Sequence, residues 1–151
     1  MAKQLSYNEA LTRAASICSI SEKCKSDIIK KLNDWKIEFN DINKIIEYLE
    51  KEKYIDEKRY AEFFVRDKFR FNKWGKIKIS AELQKKQIPE NYIYEALNQI
   101  STKDYLQTAK ELLAKKEKSL KETDAYKRKT KLMRFLASRG FEQEIIYEIT
   151  N

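Results

Sequence analysis

The side chains best suited to binding chemistry are the basic and aromatic residues between residues 66 and 86. Eight Lys and Arg residues accompany only two carboxylates there, and three aromatic residues are interleaved with them. Arg66, Arg70 and Lys73 fall on overlapping turns of a helix, so they can form one stripe. Such a stripe suits a polyphosphate, and Arg beside exposed aromatic rings is typical of protein and nucleic-acid interfaces. We therefore predict a partner-binding surface composed of Arg66, Arg70, Lys73, Trp74, Lys76 and Lys78. For Trp74, a place in the core is the alternative.

A second basic stretch lies between residues 115 and 139. Ten Lys and Arg residues accompany three carboxylates there. Helical spacing again allows a stripe, which predicts contacts with DNA or a protein partner through Lys127, Arg128, Lys131 and Arg134. The alternative is a solvated surface, because Lys is the commonest solvating residue.

The composition excludes most familiar catalytic sites. The chain has no His, two Gly and two Cys. Without His it cannot form a Ser-His-Asp or Cys-His nucleophile system, and two Gly residues are too few for a P-loop. A nuclease that binds metal through paired carboxylates would need an acidic cluster flanked by apolar sequence, and the chain has none. We expect a protein that is not an enzyme and has no metal or other cofactor.

Net charge and hydropathy restrict the partner and the compartment. The 151 residues include 32 Lys and Arg against 24 Asp and Glu, so the net charge is +8 and favours an anionic partner. Cys18 and Cys24 give no disulfide framework, and no run approaches the roughly 18 apolar residues of a membrane span. We expect a cytoplasmic protein that does not contact membranes.

Helices must position these side chains, because apolar residues recur at three- and four-residue steps along the chain. The periodicity predicts nine short helices. Side-chain oxygens can cap the helix starts at Ser6, at Asn40 or Asp41, at Asp56 and at Ser101.

The apolar positions also repeat. Leu32, Leu83 and Leu136 are each followed by apolar residues at offsets of 5, 10 and 13, and the three leucines stand 51 and 53 residues apart. Helix pairs with short turns can give such offsets by coincidence, but a nearly constant period is typical of stacked units. We predict an all-α fold of three tandem, three-helix, helix-turn-helix-like repeats in an elongated, curved array, with boundaries at residues 1–55, 56–101 and 102–151.

One motif joins the first predicted repeat to the second. Residues 54–66 read YIDEKRYAEFFVR and are followed by KWGKIKI at 73–79, by Glu82-Leu83 and by Gln87-Ile88. Asp56 is in the position of an N-cap, and Gly75 can let the chain turn between two helices, with a hinge as the alternative. We assign structural roles to Asp56, Arg59, Tyr60, Ala61, Gly75 and Leu83.

In order and spacing this motif resembles the RecX family, the regulators of the RecA recombinase. The resemblance extends from Ser26 to the end of the chain and includes the family's three tandem three-helix repeats. Lys36, Lys53 and Gln87 stand where the family often has Gly, whereas Gly140 keeps the Gly that ends a helix. A side chain at a left-handed cap costs about 1 kcal/mol, which a folded domain can tolerate.

The resemblance implies a regulatory binding protein that mainly inhibits RecA. Such a protein would lie in the groove of the RecA filament on single-stranded DNA and limit filament extension, ATP hydrolysis and co-protease action. The implied partners are the RecA filament and single-stranded DNA, with double-stranded DNA as a further candidate, and the chain is expected to be a monomer. The alternative function is autonomous DNA binding by helix-turn-helix-like units.

Overall fold

The computed structural model describes residues 4–151, and within this range the chain forms helices and no strands. The prediction of an all-α fold is confirmed. The described residues form nine helices, which are α1 (Tyr7–Ile20), α2 (Lys25–Asp34), α3 (Phe39–Lys51), α4 (Glu57–Asn72), α5 (Lys76–Lys85), α6 (Glu90–Leu97), α7 (Thr102–Ser119), α8 (Ala125–Ser138) and α9 (Gln143–Thr150).

The helices pack in three successive trios, α1–α3, α4–α6 and α7–α9. Each helix has one apolar stripe, and each trio buries its stripes in a core of its own. Leu32, Leu83 and Leu136 are fully buried at equivalent places in these cores. The prediction of three-helix repeats is therefore confirmed. The predicted boundaries stay predictions, and residues 1–3 of the first repeat lie outside the described residues.

Most of the predicted caps are present. The Ser6 hydroxyl accepts from the Glu9 amide at 3.2 Å, and the Glu9 carboxylate accepts from the Ser6 amide at 3.3 Å. The Asp56 carboxylate accepts from the Arg59 amide at the start of α4, and the Ser101 hydroxyl accepts from the Asp104 amide at the start of α7, each at 3.0 Å. The prediction of a cap at Asn40 or Asp41 is wrong, because α3 begins at Phe39, directly after an extended Glu38.

The second helix of every trio ends in the same left-handed turn. The residue four positions after the buried leucine has a positive φ, which is 59° at Lys36, 62° at Gln87 and 94° at Gly140. The next amide then donates to the carbonyl of that leucine at 3.0 to 3.2 Å. This turn, of the kind that commonly ends helices, accounts for the apolar offset of 5. Lys and Gln keep the left-handed conformation without Gly.

Candidate partner-binding groove

The second and third repeats meet through their backbones. The Gly75 amide, at the start of α5, donates to the Arg139 carbonyl at 2.7 Å, and the Ile77 amide donates to the Gly140 carbonyl at 2.9 Å. A Cβ at Gly75 would overlap the Gly140 carbonyl group and the Phe141 nitrogen. We call this contact, made by Gly75 and Ile77 with Arg139 and Gly140, the second joint.

The prediction that Gly75 serves the turn between two helices needs correction. Its φ is −78°, which any residue adopts, whereas the left-handed residue of that turn is Lys73 with a φ of 57°. Gly is needed at position 75 because the backbone of the third repeat approaches so closely.

A buried tyrosine fixes α7 beside this joint. The Lys76 amide donates to the Tyr105 hydroxyl oxygen at 2.9 Å, and that hydroxyl donates to the Glu142 carboxylate. The Tyr105 ring also packs between Phe69 and Phe141, with ring centroids 5.9 and 5.2 Å away. Burial, and then the bond to Glu142, raise the pKa of Tyr105, so this hydroxyl stays protonated and keeps its donor.

A groove of about 380 Å³ opens between α4 of the second repeat and α7 of the third. One wall is the face of α4 that carries Glu62, Arg66, Arg70 and Lys73, and the other is a row on α7 with the same helical spacing, consisting of Asp104, Gln107, Thr108 and Glu111. Apolar side chains, including Phe69 and Ile100, lie between the walls. We call this feature the α4–α7 groove.

Five of the six charged side chains that line the groove have no partner among the described residues, and the sixth, Glu111, accepts from Gln107 at 3.0 Å. Among the described residues, the side chains of Arg66, Arg70 and Lys73 have no ion-pair or hydrogen-bond partner. The same holds for the carboxylates of Glu62 and Asp104 within residues 4–151. The walls therefore present unpaired charge of both signs to a ligand.

The structure divides the predicted surface into two parts. Arg66, Arg70 and Lys73 share the groove wall, but Trp74 does not line it. Instead, Trp74 is half-buried, with the Lys68 and Lys78 ammonium groups 5.1 and 4.7 Å from its ring centroid. Lys76 lies over the Tyr105 ring at 4.9 Å.

The α7 wall was not predicted to belong to the site. A signal for it exists in the spacing of Asp104, Gln107, Thr108 and Glu111, which places four polar residues on one helix face. Nothing in the sequence, however, places that face opposite α4.

The α8 residues divide as well. The Arg128 guanidinium donates to the carbonyls of Glu117, Leu120 and Glu122 at 2.6 to 3.1 Å, so it closes the connection between α7 and α8. We therefore leave Arg128 out of the candidate site. Lys131 pairs with Glu122 at 3.2 Å, and that bond lowers the pKa of the Glu122 carboxyl. Lys127 and Arg134 are exposed on the same face of α8.

The first and second repeats meet through side chains. Lys86 Nζ donates to Asp27 Oδ1 at 2.7 Å, and the Ser26 hydroxyl donates to the Lys86 carbonyl at 2.9 Å. The Lys25 amide donates to the Glu57 carboxylate at 3.3 Å. We call this contact, made by Lys25, Ser26 and Asp27 with Glu57 and Lys86, the first joint.

The remaining residues of the motif have structural positions. Arg59 Nε donates to the Glu22 carboxylate at 2.7 Å, and its Nη2 donates to the Lys53 carbonyl at 3.1 Å, so it braces the turn that follows α3. Tyr60, Ala61 and Leu83 are buried in the core of the second repeat.

The carboxyls of the first joint have opposite pKa shifts. Burial opposes the ionisation of Asp27, but the hydrogen bonds from Lys86 and Cys24 outweigh it, so the pKa of Asp27 lies below its usual 3.8. Burial raises the pKa of Glu57 above 4.5 despite the Lys25 amide. Burial opposes the charge of Lys86 too, but the bond to Asp27 raises its pKa overall.

The described residues form neither a metal-binding cluster nor a membrane-spanning helix. Within residues 4–151, no three His, Cys, Asp or Glu side chains come together in a group that could hold a metal ion. In the same range, no helix has the length and apolarity to cross a membrane.

The fold and the groove define a class of protein, an α-helical tandem-repeat protein with a charged, open interaction groove. Two protein-family models match the chain. "RecX, second three-helix domain" matches residues 56–97, and "RecX, third three-helix domain" matches residues 103–150.

Curated relatives agree with the family models. The chain is 34% identical to the regulatory protein RecX of Clostridium acetobutylicum over 147 residues, which are 95% of this chain and 68% of the relative. It is 38% identical to that of Chlorobium phaeobacteroides, covering 93% of this chain and 90% of the relative. The chain belongs to the RecX family of regulatory proteins. It spans about two thirds of the length of several Clostridium relatives, 63% of one from Clostridium perfringens.

Solved structures show the same fold. A crystal structure of regulatory protein RecX superposes with a TM-score of 0.88 at 26% identity, covering 95% of this chain and 72% of that chain. RecX from Lactobacillus salivarius superposes with a TM-score of 0.85 at 24% identity, covering 95% and 93%. The resemblance inferred from the motif is confirmed.

Proposed function

We propose that this chain binds the RecA filament on single-stranded DNA and mainly inhibits it. It lies in the groove of the filament and limits filament extension, ATP hydrolysis and co-protease action. Membership in the RecX family is the observation that carries this proposal.

The three-repeat architecture supports the proposal mechanically. Each trio has its own core, and the trios follow one another along the chain, so the protein can present several surfaces to a polymer. Modest contacts made at once add up to useful avidity. In this proposal the repeats are bounded at 55/56 and 101/102, and the array is curved.

DNA contact belongs to the exposed cations of α8 in this proposal. Lys127, Lys131 and Arg134 follow one helix face, and the net charge is +8. Such groups displace counterions from single-stranded DNA, and from double-stranded DNA as well. The chain acts as a monomer in the cytoplasm, without catalysis.

The decisive experiment measures ATP hydrolysis by RecA on single-stranded DNA with substoichiometric amounts of this chain. We expect inhibition at concentrations at which free DNA, measured in parallel by fluorescence anisotropy, stays unbound. Unchanged hydrolysis together with tight, sequence-selective duplex binding would favour the alternative, an autonomous DNA-binding protein.

A triple charge reversal tests the site. Arg66→Glu, Arg70→Glu and Lys73→Glu together should abolish inhibition while circular dichroism shows unchanged helical content. The matched control reverses three exposed lysines outside the groove by Lys30→Glu, Lys44→Glu and Lys58→Glu, with the same change in net charge. Inhibition that survives the groove variant would remove this site from the proposal.

A further inference from the structure

The α4–α7 groove differs in charge from a site built for nucleic acid. Its α4 wall carries Arg66, Arg70 and Lys73, but its α7 wall carries Asp104 and Glu111, and Glu62 extends the α4 row. The lining therefore holds as many carboxylates as cations. A phosphate chain that approached the α4 cations would also meet the α7 carboxylates, which repel it.

The two charge sets do not neutralise each other across the groove. Over the described part of the chain, no carboxylate of the groove forms an ion pair with Arg66, Arg70 or Lys73. The two repeats that carry the walls are linked by backbone hydrogen bonds between α5 and the α8–α9 turn, and the Tyr105 hydroxyl links α7 to α5. Opposite charges that do not form ion pairs in the free protein are available to a ligand.

The apolar side chains between the walls and the uncharged polar groups of α7 also indicate the chemistry of the ligand. Phe69 and Ile100 are half-buried between the walls, so the groove offers apolar surface along its middle. Gln107 and Thr108 lie between the two α7 carboxylates and can donate or accept hydrogen bonds. Amides and hydroxyls, an apolar strip and charges of both signs can bind a polypeptide through hydrogen bonds, apolar contact and complementary charge.

We infer that the α4–α7 groove binds a polypeptide segment of the partner and not the DNA backbone. The segment carries acidic side chains on the edge that faces α4, basic side chains on the edge that faces α7, and an apolar side chain between them. This inference rests on the proposed function, since it names the chemistry of the surface that the same site contacts in the filament.

Charge reversal on each wall distinguishes polypeptide from nucleic acid. If the groove binds the proposed segment, Arg70→Glu and Glu111→Lys should both raise the half-inhibitory concentration for RecA ATP hydrolysis, each by about tenfold. If it binds DNA, Arg70→Glu should weaken inhibition but Glu111→Lys should strengthen it, because a repulsive carboxylate becomes a cation. The same variants are titrated with a fluorescent oligo-dT to follow free-DNA binding.

Matched controls isolate the groove from the overall charge. Lys44→Glu on α3 and Glu95→Lys on α6 make the same changes in net charge at exposed positions outside the groove, and we expect each to change inhibition by less than about twofold. Glu111→Gln is a milder variant that keeps an acceptor for Gln107, and it should weaken inhibition in the same direction as Glu111→Lys.

The outcomes separate the two proposals. Wild-type inhibition that is weakened by both wall variants supports a polypeptide ligand. Two results overturn the inference while the proposed function stands. One is inhibition that Glu111→Lys leaves unchanged or strengthens, and the other is oligo-dT binding that Glu111→Lys tightens more than Glu95→Lys does. A wild-type chain that does not inhibit RecA overturns both.

Discussion

The two joints between the repeats occupy equivalent positions but are built differently. Cys24 and Gly75 each stand at the N-cap of the second helix of a repeat, eight residues before Leu32 and Leu83. At the second joint, the amides of Gly75 and Ile77 donate to backbone carbonyls of the next repeat. At the first joint, the corresponding contacts use the side chains of Ser26, Asp27, Glu57 and Lys86.

This difference determines what each joint can hold in place. Two backbone hydrogen bonds and a glycine that leaves no room for a Cβ fix the third repeat against the second. Side chains such as Lys86 can follow a displacement by changing rotamer, and their attraction depends on ionisation and salt. The groove lies between the two repeats that the second joint connects. The first repeat is attached by the joint whose strength depends on charge.

The largest expected loss of stability comes from the core of the second repeat, which takes part in both joints. Leu83 is fully buried in its core, so Leu83→Ala should lower the free energy of unfolding by roughly 2 to 5 kcal/mol through lost burial and a cavity. Urea denaturation followed by circular dichroism measures the loss. The control is Ile20→Ala, because Ile20 is 83% exposed and should change stability by less than about 0.5 kcal/mol. Equal stability of the two variants would contradict the assignment of Leu83 to the core.

The next effect is confined to the second joint. In Gly75→Ala the new Cβ must displace the Gly140 carbonyl, which should cost about 1 to 3 kcal/mol and weaken the two backbone hydrogen bonds. Hydrogen exchange should become faster at the amides of residues 75 and 77. The matched variant is Cys24→Ala at the first joint, where a Cβ is already present, so the substitution adds no atom. It removes the buried sulfur and the contact of that sulfur with the Ser26 hydroxyl at 3.2 Å. If Gly75→Ala costs no more than Cys24→Ala, the contrast between the joints is wrong.

The sequence predicted the features that depend on local patterns. Helices, the repeat and the caps at Ser6, Asp56 and Ser101 follow from periodicity and side-chain chemistry within a few residues. The functions of Gly75 and Arg128 could not be predicted in this way. Each depends on which carbonyls the fold brings beside the residue, and in the case of Gly75 those carbonyls lie about 64 residues away.

For the same reason, only the α4 wall of the α4–α7 groove could be predicted from the sequence. The spacing of Arg66, Arg70 and Lys73 places them on one face, and the structure places all three on one groove wall. The carboxylates of Asp104 and Glu111 belong to another repeat, and the sequence gives no distance between helices. The α7 wall changes the inferred ligand, because its carboxylates make the site a groove of mixed charge and not a basic stripe.

The smallest of these effects belongs to the first joint and depends on pH. Asp27→Asn removes the ion pair with Lys86, which is partly exposed, so it should cost about 1 kcal/mol at neutral pH. The pKa of Asp27 is lowered in the folded chain, so its stabilisation is present above its unfolded value of 3.8 and is lost as the pH falls through the folded value. The stability difference between wild type and variant should therefore disappear in strong acid, as measured by urea denaturation from pH 7 to 2.

Asp27 and Glu57 both contribute to the pH dependence of stability, and their contributions must be distinguished. Glu57 has a raised pKa, so its protonation between that value and 4.5 favours the folded state, opposite in sign to Asp27 and at higher pH. Burial is the main cause of the raised pKa of Glu57 and the Asp27 charge adds to it, so Asp27→Asn should reduce this gain only slightly while it removes the loss at lower pH. The control is Asp34→Asn, since Asp34 is exposed and the described residues give it no ion-pair partner. Asp34→Asn should not abolish the loss of stability at low pH. If it did so as fully as Asp27→Asn, the loss would reflect general charge repulsion, and the first joint would depend on pH no more than the second.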